Sequence, residues 1–419
     1  MENATNQRKG LDMGITCGID WAEAHHDIAL ADDTGRIVYR ARITTGATGF
    51  NDLLRMIAEN GGTPEDTPIA IETDKNLLVV ALAEAGFAVH PINPRAVARY
   101  RERYGQAGGK SDPGDAAVLA NVLRTDPSVH RVLPAVSELG RAVKALARQH
   151  QEAIWALHQT ISRLRSVLLE FYPAALHAFP NLKHRATLAV LTAVPTPTDG
   201  RNLTRRRLES LLRRCGRRYD PDLVDQILTD LRATTLRQPP QVEAALGRAV
   251  TGLLGIIGAM HTSVDELEKE MGVVFDSHPH APILRSVPGL GPILAARVLA
   301  EIGDDPSRFD APAGLRAFAG TAPITRASGR SRYVKARKVR NKRLGDACHW
   351  WAFAALTKST GARAHYDKRR AAGDHHNAAL RNLANKLLGR LWWCLQHGEP
   401  WDDQAAWPQT DANPKAAAA

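Results

Sequence analysis

The stretch Gly14-Ile-Thr-Cys-Gly-Ile-Asp20-Trp21 decides the fold of the amino-terminal part of this chain. Its apolar run is too short for a helix, which indicates a buried strand with an acidic residue near its end. A second short apolar run, Thr67-Pro-Ile-Ala-Ile-Glu72, also closes on a carboxylate. Open α/β sheets place their ligand sites at the carboxyl ends of their strands, so we expect Asp20 and Glu72 to lie together at that edge.

A second pair of acids follows in Lys110-Ser-Asp112-Pro-Gly-Asp115-Ala. The two are three residues apart at a helix start, which places them on one helix face. Carboxylates gathered this closely repel one another unless a hard cation lies among them, and Mg²⁺ held by carboxylates and substrate phosphates is usual in phosphoryl transfer. The order of the acids predicts a metal-dependent nuclease that binds Mg²⁺, with Mn²⁺ as a substitute, through Asp20, Glu72, Asp112 and Asp115.

Other roles are open to some of these residues. Asp74 lies two residues beyond Glu72, on the same face of an extended chain, and competes with it as a ligand. Asp112 precedes a proline, so it also suits a helix N-cap, with Asp115 stabilising the helix dipole; capping and metal binding are compatible. His25 and His26 are interpreted as surface-turn residues.

The predicted fold class is α/β plus all-α. The amino-terminal order is strand, strand, strand, helix, strand, helix, strand, helix, helix, which is typical of a mixed sheet of the RNase H type. The predicted strands are Ile15–Trp21, Asp27–Ala31, Ile37–Ile43, Pro68–Glu72 and Ala88–Ile92.

Beyond Pro134 the pattern becomes helical. Apolar residues at helical spacing over Val136–Tyr172 and Val242–Val274 predict two long helices that pair with each other, or with a second subunit, as a coiled-coil-like arm. The predicted organisation is a disordered terminus (1–13), an RNase H-like nuclease domain (14–132), a long-helix region (133–278) with a basic insert of short helices (179–240), a helical domain (279–402) and a disordered tail (403–419).

The bulk composition favours a polyanionic partner. The 419-residue chain carries a formal charge of +11, and nine Lys or Arg without one acid lie between Arg326 and Arg343. Such a block is also compatible with a merely solvated face. Four scattered cysteines, no secretory signal and no apolar run of the roughly 18 residues that a membrane span needs predict a cytoplasmic protein without disulfides, structural zinc or a membrane partner.

The carboxy-terminal part holds two further motifs. Ile283 to Ile302, with Val287-Pro-Gly-Leu-Gly291 at its centre, fits a helix-hairpin-helix whose free N–H groups face a phosphate, although an ordinary helical hairpin fits as well. Gly320 to Arg332 is a predicted polar loop in which Ser328 and Ser331 lie among arginines. A serine there either bonds the backbone or a phosphate, or acts as a nucleophile beside guanidinium groups that stabilise a transferring phosphoryl group.

Together these motifs resemble one family, the DEDD transposases of bacterial insertion sequences of the IS110 type, which are RNA-guided recombinases. Gly18-Ile-Asp20-Trp-Ala, Ile71-Glu72-Thr and Lys110 to Ala116 are similar to its RuvC-like nuclease domain. Val287 to Gly291, and Phe318-Ala-Gly-Thr-Ala-Pro running into Ala327-Ser-Gly, are similar to its transposase domain. The likeness spans nearly the whole chain.

The resemblance implies that the four acids bind Mg²⁺ and that Ser328 attacks DNA to form a covalent phosphoserine intermediate, with Ser331 and Thr325 as neighbouring alternatives. It also implies a structured noncoding bridge RNA from the element, whose loops pair with donor and target DNA while the protein binds RNA shape and backbone. We expect a homo-oligomer, a dimer that assembles to a tetramer, associated with the nucleoid.

The predicted nucleic-acid contacts form one group: Lys110, Gly289, Gly291, Arg326, Arg330, Arg332, Lys335, Arg337, Lys338 and Arg340. The tryptophan pairs Trp350-Trp351 and Trp392-Trp393 are interpreted as core or subunit contacts rather than base-stacking groups.

Three rival functions stay open on the sequence alone. One is a RuvC-like nuclease that uses water as the nucleophile, and another is a nonenzymatic nucleic-acid-binding protein with a degenerate nuclease fold. The third, an actin-like ATPase or sugar kinase, fits poorly because the run after Asp20 lacks the small Gly and Thr residues that wrap a phosphate.

Overall fold

The structure is a computed structural model that describes residues 14–104, 111–329 and 331–407. The chain divides into two compact units, Met1–Ala135 and Val136–Ala419. Lys110 and Arg330, two of the predicted nucleic-acid contacts, lie outside the described residues, as do the predicted disordered terminus and most of the predicted disordered tail.

The amino-terminal unit is built on a five-stranded mixed sheet with the strand order β3-β2-β1-β4-β5. Strands β1 to β3 form antiparallel pairs, whereas β1, β4 and β5 run parallel. The strands are β1 (Ile15–Trp21), β2 (His25–Asp32), β3 (Ile37–Thr44), β4 (Ile69–Ile71) and β5 (Val89–Pro91). This mixed sheet, together with the helical second unit, confirms the predicted fold class.

Helices cover both faces of this sheet. One face packs against apolar residues of α1 and α2, among them Leu53, Ile57 and Leu82. On the other face Ala70 of β4 lies in a smaller core with Leu119 and Val122 of α4. The helices are α1 (Ala47–Glu59), α2 (Leu77–Glu84), α3 (Pro94–Tyr104) and α4 (Asp112–Thr125).

Two long helices, α5 (Glu138–Phe171) and α11 (Pro240–Asp276), pack against each other in the second unit. Leu164 and Leu168 of α5 share a core with Leu254 and Ile257 of α11. Short helices between the two long ones complete this core. Helix α6 (Pro173–Ala178) directly precedes the basic insert, which contains α7 (Arg185–Ala193), α8 (Pro197–Arg201), α9 (Arg205–Arg214) and α10 (Pro221–Arg232).

The rest of the second unit is a helical bundle around a separate core that contains the fully buried Trp351. Its elements are α12 (Ala281–Ser286), α13 (Pro292–Ile302), a 3₁₀ turn (Pro306–Arg308), α14 (Pro312–Ala319), β6 (Ile324–Ser328), β7 (Ser331–Lys335), α15 (Lys342–Ala355), α16 (Thr360–Ala371), α17 (His376–His397) and α18 (Asp403–Ala406).

The strands β6 and β7 correct one prediction. The segment interpreted as a polar loop is an antiparallel hairpin in which Ser328 pairs with Ser331. The β-branched and aromatic residues Thr325, Tyr333 and Val334 favour strands, and Gly329 supplies the positive φ of 54° that its tight turn needs. The abundance of charged residues hid this strand pattern in the sequence.

Helix α11 is long and apolar enough, by length and composition alone, to cross a membrane, with a mean hydropathy of 1.4 over its most apolar window. Core helices of soluble proteins pass the same test, and α11 contributes Val250, Leu254 and Ile257 to a protein core. The feature is therefore weak evidence for a membrane partner.

Candidate active site and nucleic-acid surface

The four predicted acidic ligands converge on one edge of the amino-terminal sheet. Asp20 is the penultimate residue of β1, and Glu72 directly follows β4. The parallel register pairs Gly18 with Ala70 and Ile19 with Ile71, so Asp20 and Glu72 hold equivalent next positions on neighbouring strands. Asp112 and Asp115 lie in the first turn of α4, which packs across β1 and β4.

A glycine allows α4 to come this close. A Cβ atom at Gly18 would overlap with the carbonyl oxygen of Ala116 and the amide nitrogen of Ala120. Side chains two residues apart on a strand share a face, so the side chain of Asp20 lies on the face that Gly18 turns towards α4. The close approach therefore brings Asp20 to the helix turn that carries Asp115.

The pKa of Asp20 reflects the close approach of the other carboxylates. Burial, as the largest cause, and the negative charges of nearby carboxylates together raise the pKa of the Asp20 carboxyl from its usual 3.8 to about 6. In order of decreasing effect, these carboxylates belong to Asp115, Glu72, Asp112 and Asp27. Asp74, the competing ligand in the sequence, is exposed and is not among these charges. The excess of negative charge at this edge is the condition that a bound cation relieves.

Sequence reasoning missed Asp27 as a member of this edge. It pairs directly with Asp20 across the antiparallel β1–β2 register and is buried. Arg42 of β3 neutralises it, with its Nη2 atom 2.9 Å from Oδ2 and its Nε atom 3.2 Å from Oδ1 of Asp27. Ligand-capable atoms of His25, Asp27 and Asp112 also lie within 4.8 Å of one another.

Arg101 of α3 is the second residue that sequence reasoning missed. Its Nε atom donates to Oδ1 of Asp115 at 2.6 Å, and the Asp115 side chain is only 5% exposed. The contact fixes the orientation of a carboxylate that has little freedom to find another partner. No motif predicts it, because Arg101 reaches Asp115 through the packing of α3 on α4.

Two local interpretations from the sequence are wrong. The N-cap position of α4 belongs to Ser111, and Asp112 is the first helical residue, so the Asp112 carboxylate is not the cap. His25 and His26 belong to strand β2 instead of a surface turn, and His26 is 4% exposed. The β1–β2 hairpin turns earlier than expected, between Trp21 and His25.

The donor set at this edge fits a hard divalent cation. The ligand-capable groups are carboxylate oxygens with one imidazole beside them, and oxygen ligands are those that Mg²⁺ and Mn²⁺ prefer. Cys17 of the same strand offers no thiolate ligand to this edge, since it is fully buried in the sheet core and burial raises the pKa of its thiol to about 12.

In the second unit, Ser328 is the last residue of β6, directly before the hairpin turn. It is exposed, as are Ser331 and Thr325, so all three hydroxyl groups face solvent. Arg326 and Arg332 are exposed on the two hairpin strands, and Lys335 lies 5.9 Å from the ring centre of Tyr333. The hairpin thus presents hydroxyl groups among cations.

The hairpin leads into a basic cavity of about 670 Å³ between α14, α15 and α17. Its cationic lining consists of Arg337, Lys338, Arg340, Lys342 and Arg381. Within the part of the chain that the structure describes, none of these five side chains forms an ion pair with a carboxylate. Asp346, the acid in the wall, is paired with Arg297 at 2.6 Å. The cavity therefore carries a net positive charge.

The proposed helix-hairpin-helix turn is partly covered. Gly289 has a positive φ of 83°, and a Cβ atom there would lie 2.6 Å from the amide nitrogen of Ala355 in α15. Trp351 donates from Nε1 to the carbonyl oxygen of Pro288 at 3.0 Å, which anchors the turn. Gly291 is exposed before α13. Gly289 thus has a packing role, whereas Gly291 leaves the start of α13 accessible.

Comparison with known proteins identifies the class. A family profile described as a DEDD transposase of the IS110 type matches residues 17–173, and the profile for transposases of the IS116/IS110/IS902 family matches residues 281–367. Both matched segments contain the motifs described above.

Whole-length relatives agree. The chain is 48% identical to an IS117 mini-circle transposase of Streptomyces coelicolor over 94% of this chain and 96% of that protein. It is 30% identical to a 43.6 kDa protein of insertion element IS110 from the same organism, over 92% and 95% of the two chains. A 42 kDa protein of insertion element IS900 from Mycobacterium paratuberculosis is 27% identical over 91% and 96%.

The chain therefore belongs to the IS110 family of DEDD transposases. It is a DNA-processing enzyme, and the family implies the use of a divalent metal ion.

Proposed function

We propose that this transposase cleaves and exchanges DNA strands under RNA guidance, with Asp20, Glu72, Asp112 and Asp115 as Mg²⁺ ligands and Ser328 as the nucleophile. The observation that carries the proposal is the convergence of the other three carboxylates on Asp20. Burial and the charges around it together raise the pKa of the Asp20 carboxyl to about 6. We assign the nuclease domain to 14–132 and the transposase domain to 279–402, with the long-helix region between them.

The four carboxylates would hold the metal ion, and the metal ion would in turn bind the scissile phosphate. When bound, Mg²⁺ supplies charge stabilisation for the pentacovalent phosphorus and the leaving oxygen. Asp115, fixed by Arg101, and Asp20, fixed in β1, are the rigid members of the set. Glu72 directly follows β4 and Asp112 is the first residue of α4, and these two complete the set of four carboxylates.

The covalent step balances without an external energy source. The Ser328 oxygen forms a bond to phosphorus, the bond from phosphorus to a deoxyribose oxygen breaks, and the serine proton is recovered on the released sugar hydroxyl. Attack of a new sugar hydroxyl on the phosphoserine reverses the step and joins a different strand. Exposure of Ser328 beside the hairpin turn supports this role, because a nucleophile must reach its phosphate.

RNA guidance rests on the family resemblance and on surplus positive charge. The cations along the hairpin and the basic cavity, together with the arginines of α9, offer surfaces for RNA and DNA phosphates. The partners proposed are donor DNA, target DNA and the noncoding bridge RNA of the element, which places the protein at the nucleoid.

We propose a dimer that assembles to a tetramer through the long helices. Only 28% of the most apolar window of α11 is buried, and Ile256 in this window is 50% exposed. A second copy of the chain would bury this exposed apolar surface of α11.

The test is cleavage of labelled donor DNA by the full chain with Mg²⁺, with and without RNA transcribed from the noncoding flank of the element. We expect cleavage that requires both the RNA and Mg²⁺, and that Asp20→Asn abolishes. The matched control is Asp33→Asn, an exposed turn residue outside the site.

Cleavage that does not depend on the RNA would contradict RNA guidance and favour a structure-selective nuclease. Unchanged activity in Asp20→Asn would contradict the metal site and favour a nonenzymatic binding protein.

A further inference from the structure

One face of α15 continues the basic cavity as an aromatic surface. Lys342, Asp346 and His349 line the cavity at helical spacing, and Phe353 follows one turn later on the same face. Trp350 lies beside it, four residues after Asp346. The opposite face of α15 is buried in the core and includes Trp351.

Two large rings on this face are open to solvent. Trp350 is 51% exposed and Phe353 is 50% exposed, although both are among the residues that proteins usually cover. Trp350 and Trp351 were predicted together as core or subunit contacts. Trp351 lies in the core, whereas Trp350 does not. Such exposure beside a charged cavity is typical of a binding surface.

The rings are ordered by contacts with one another. Trp350 makes edge-to-face contacts with His349 and Phe353, with ring centres 5.6 and 6.3 Å away. Phe353 makes a similar contact with His376 at 6.4 Å, and the Tyr366 hydroxyl oxygen forms a hydrogen bond of 2.7 Å with Nδ1 of His376. We define Trp350, Phe353 and His376 as the aromatic edge.

The cavity next to this edge is suited to phosphate. Arg340 is held in place because its side chain crosses Gly320 and Gly345, where a Cβ atom on Gly320 would overlap with it. The Nε atom of Arg337 is buried and has no hydrogen-bond partner among the described residues. Fixed cations with free donors bind anions without much loss of side-chain entropy.

A basic groove beside exposed aromatic rings is the combination that binds single-stranded nucleic acid, because the cations hold the backbone while the rings stack on unpaired bases. In a duplex the bases are paired and stacked on each other, so they offer these rings no free face. A second copy of the chain is the rival occupant. The five cations of the adjoining cavity, which form no ion pair with a carboxylate among the described residues, favour a polyanion.

We propose that the aromatic edge stacks on unpaired nucleobases of a single strand whose phosphates lie in the basic cavity. The inference rests on the proposed function only in that the chain handles nucleic acid, and it assigns Trp350 and Phe353 a binding role that is separate from the carboxylates and from Ser328. The ligand of this surface is an unpaired nucleic-acid strand, and both RNA and DNA provide such strands.

The test measures fluorescence anisotropy of labelled U12, dT12 and a 12-base-pair duplex with the full chain at fixed salt. Substitution of both rings by leucine, Trp350→Leu with Phe353→Leu, keeps apolar area but removes stacking. We expect about 10-fold weaker binding of the single strands in this variant and less than about 2-fold change for the duplex. Trp350→Phe, the matched control, keeps a ring and should remain within about 3-fold of the wild type.

Stronger binding of U12 than dT12 assigns the surface to RNA, and the reverse assigns it to DNA. Equal single-strand binding by wild type and the double leucine variant, or no single-strand binding by the wild type, would overturn the proposal. A change in molar mass by light scattering, with unchanged single-strand affinity, would assign the edge to a second copy instead. Because the assay involves no cleavage and no element RNA, its failure leaves the proposed catalytic function untouched.

Discussion

Gly18 of β1 lies against the backbone of Ala116 in α4, so closely that any side chain at position 18 would overlap with the Ala116 carbonyl oxygen. This contact joins the strand that carries Asp20 to the helix that carries Asp112 and Asp115. A single glycine thus sets the distance between the two halves of the acidic site.

Gly18→Ala should separate α4 from the sheet. Since the overlapping atoms belong to the helix backbone, we expect a loss of about 1–3 kcal/mol in the free energy of unfolding, and a loss of Mg²⁺-dependent cleavage beyond what the lower stability explains. Chemical denaturation and donor-DNA cleavage below the melting temperature measure the two effects. Gly14→Ala is the control, because no atom of the residues that the structure describes lies within 4 Å of a Cβ there. Equal behaviour of the two variants would be inconsistent with this packing role.

Asp20→Asn should stabilise the metal-free protein while it abolishes cleavage. The folded protein raises the pKa of Asp20 above its usual 3.8 to about 6, so ionisation of this carboxyl opposes folding at neutral pH in the absence of metal. In EDTA we expect the free energy of unfolding to rise by about 1 kcal/mol, a value already reduced because solvent screens part of the site. Mg²⁺ should stabilise this variant less than it stabilises the wild type. Thermal unfolding in EDTA and in a Mg²⁺ series gives both values. A lower melting temperature in EDTA would argue against carboxylate repulsion.

Arg101→Gln should reduce cleavage through Asp115. The guanidinium holds the carboxylate at 2.6 Å, and loss of such an orienting partner typically costs about 10–100-fold in metal affinity or activity. Mg²⁺ titration of the cleavage rate separates a weaker metal affinity from a slower step at saturation. Arg99→Gln, an exposed residue of the same helix, controls for the general loss of positive charge. Similar losses in both variants would point to DNA attraction rather than to Asp115.

Glu301→Gln should weaken the bundle that supports the hairpin and flatten its response to acid. Burial alone would raise the pKa of Glu301. Hydrogen bonds that Arg148 and Asn341 donate to its carboxylate, at 2.8 Å and 2.7 Å, outweigh burial and hold the pKa below the usual 4.5. The stability from this carboxylate is therefore complete above about pH 4.5 and is lost as the pH falls through the lower folded pKa.

The substitution should cost about 3 kcal/mol at pH 7, because Arg148 would be left without its carboxylate in the interior. Urea unfolding between pH 7 and pH 3 measures the effect, with the exposed Glu399→Gln as the control. A variant that loses stability in acid as steeply as the wild type would contradict this role of Glu301.

The sequence predicted most of the amino-terminal fold because its strands are short apolar runs bounded by turn residues. The bounds of β1 were predicted as observed, and the long helices end within a few residues of their predicted limits. The β6–β7 hairpin was missed because its strands are solvent-exposed on nearly every residue and leave no alternation of apolar and polar positions.

Local sequence patterns explain why the acids were found and their partners were not. Asp20 and Glu72 each end an apolar strand, which a single sequence displays directly. Arg101 and Asp27 join the site through helix packing and cross-strand register, and both are tertiary relationships that no short motif encodes. The exposure of Trp350 beside the buried Trp351 likewise depends on which face of α15 meets the core.

An adduct assay is the sharpest test of the proposal that Ser328 attacks a DNA phosphate and that the four carboxylates bind the metal ion that this step requires. The full chain with its element RNA, labelled donor DNA and Mg²⁺ is resolved under denaturing conditions, and the wild type is compared with Ser328→Ala, Ser331→Ala and Asp115→Ala. Ser331 is the matched control, since it is exposed and pairs with Ser328 across the hairpin. We expect a protein–DNA adduct that Ser331→Ala retains and that Ser328→Ala and Asp115→Ala abolish. Cleavage without any adduct, or an adduct that survives in Ser328→Ala, would contradict the proposal.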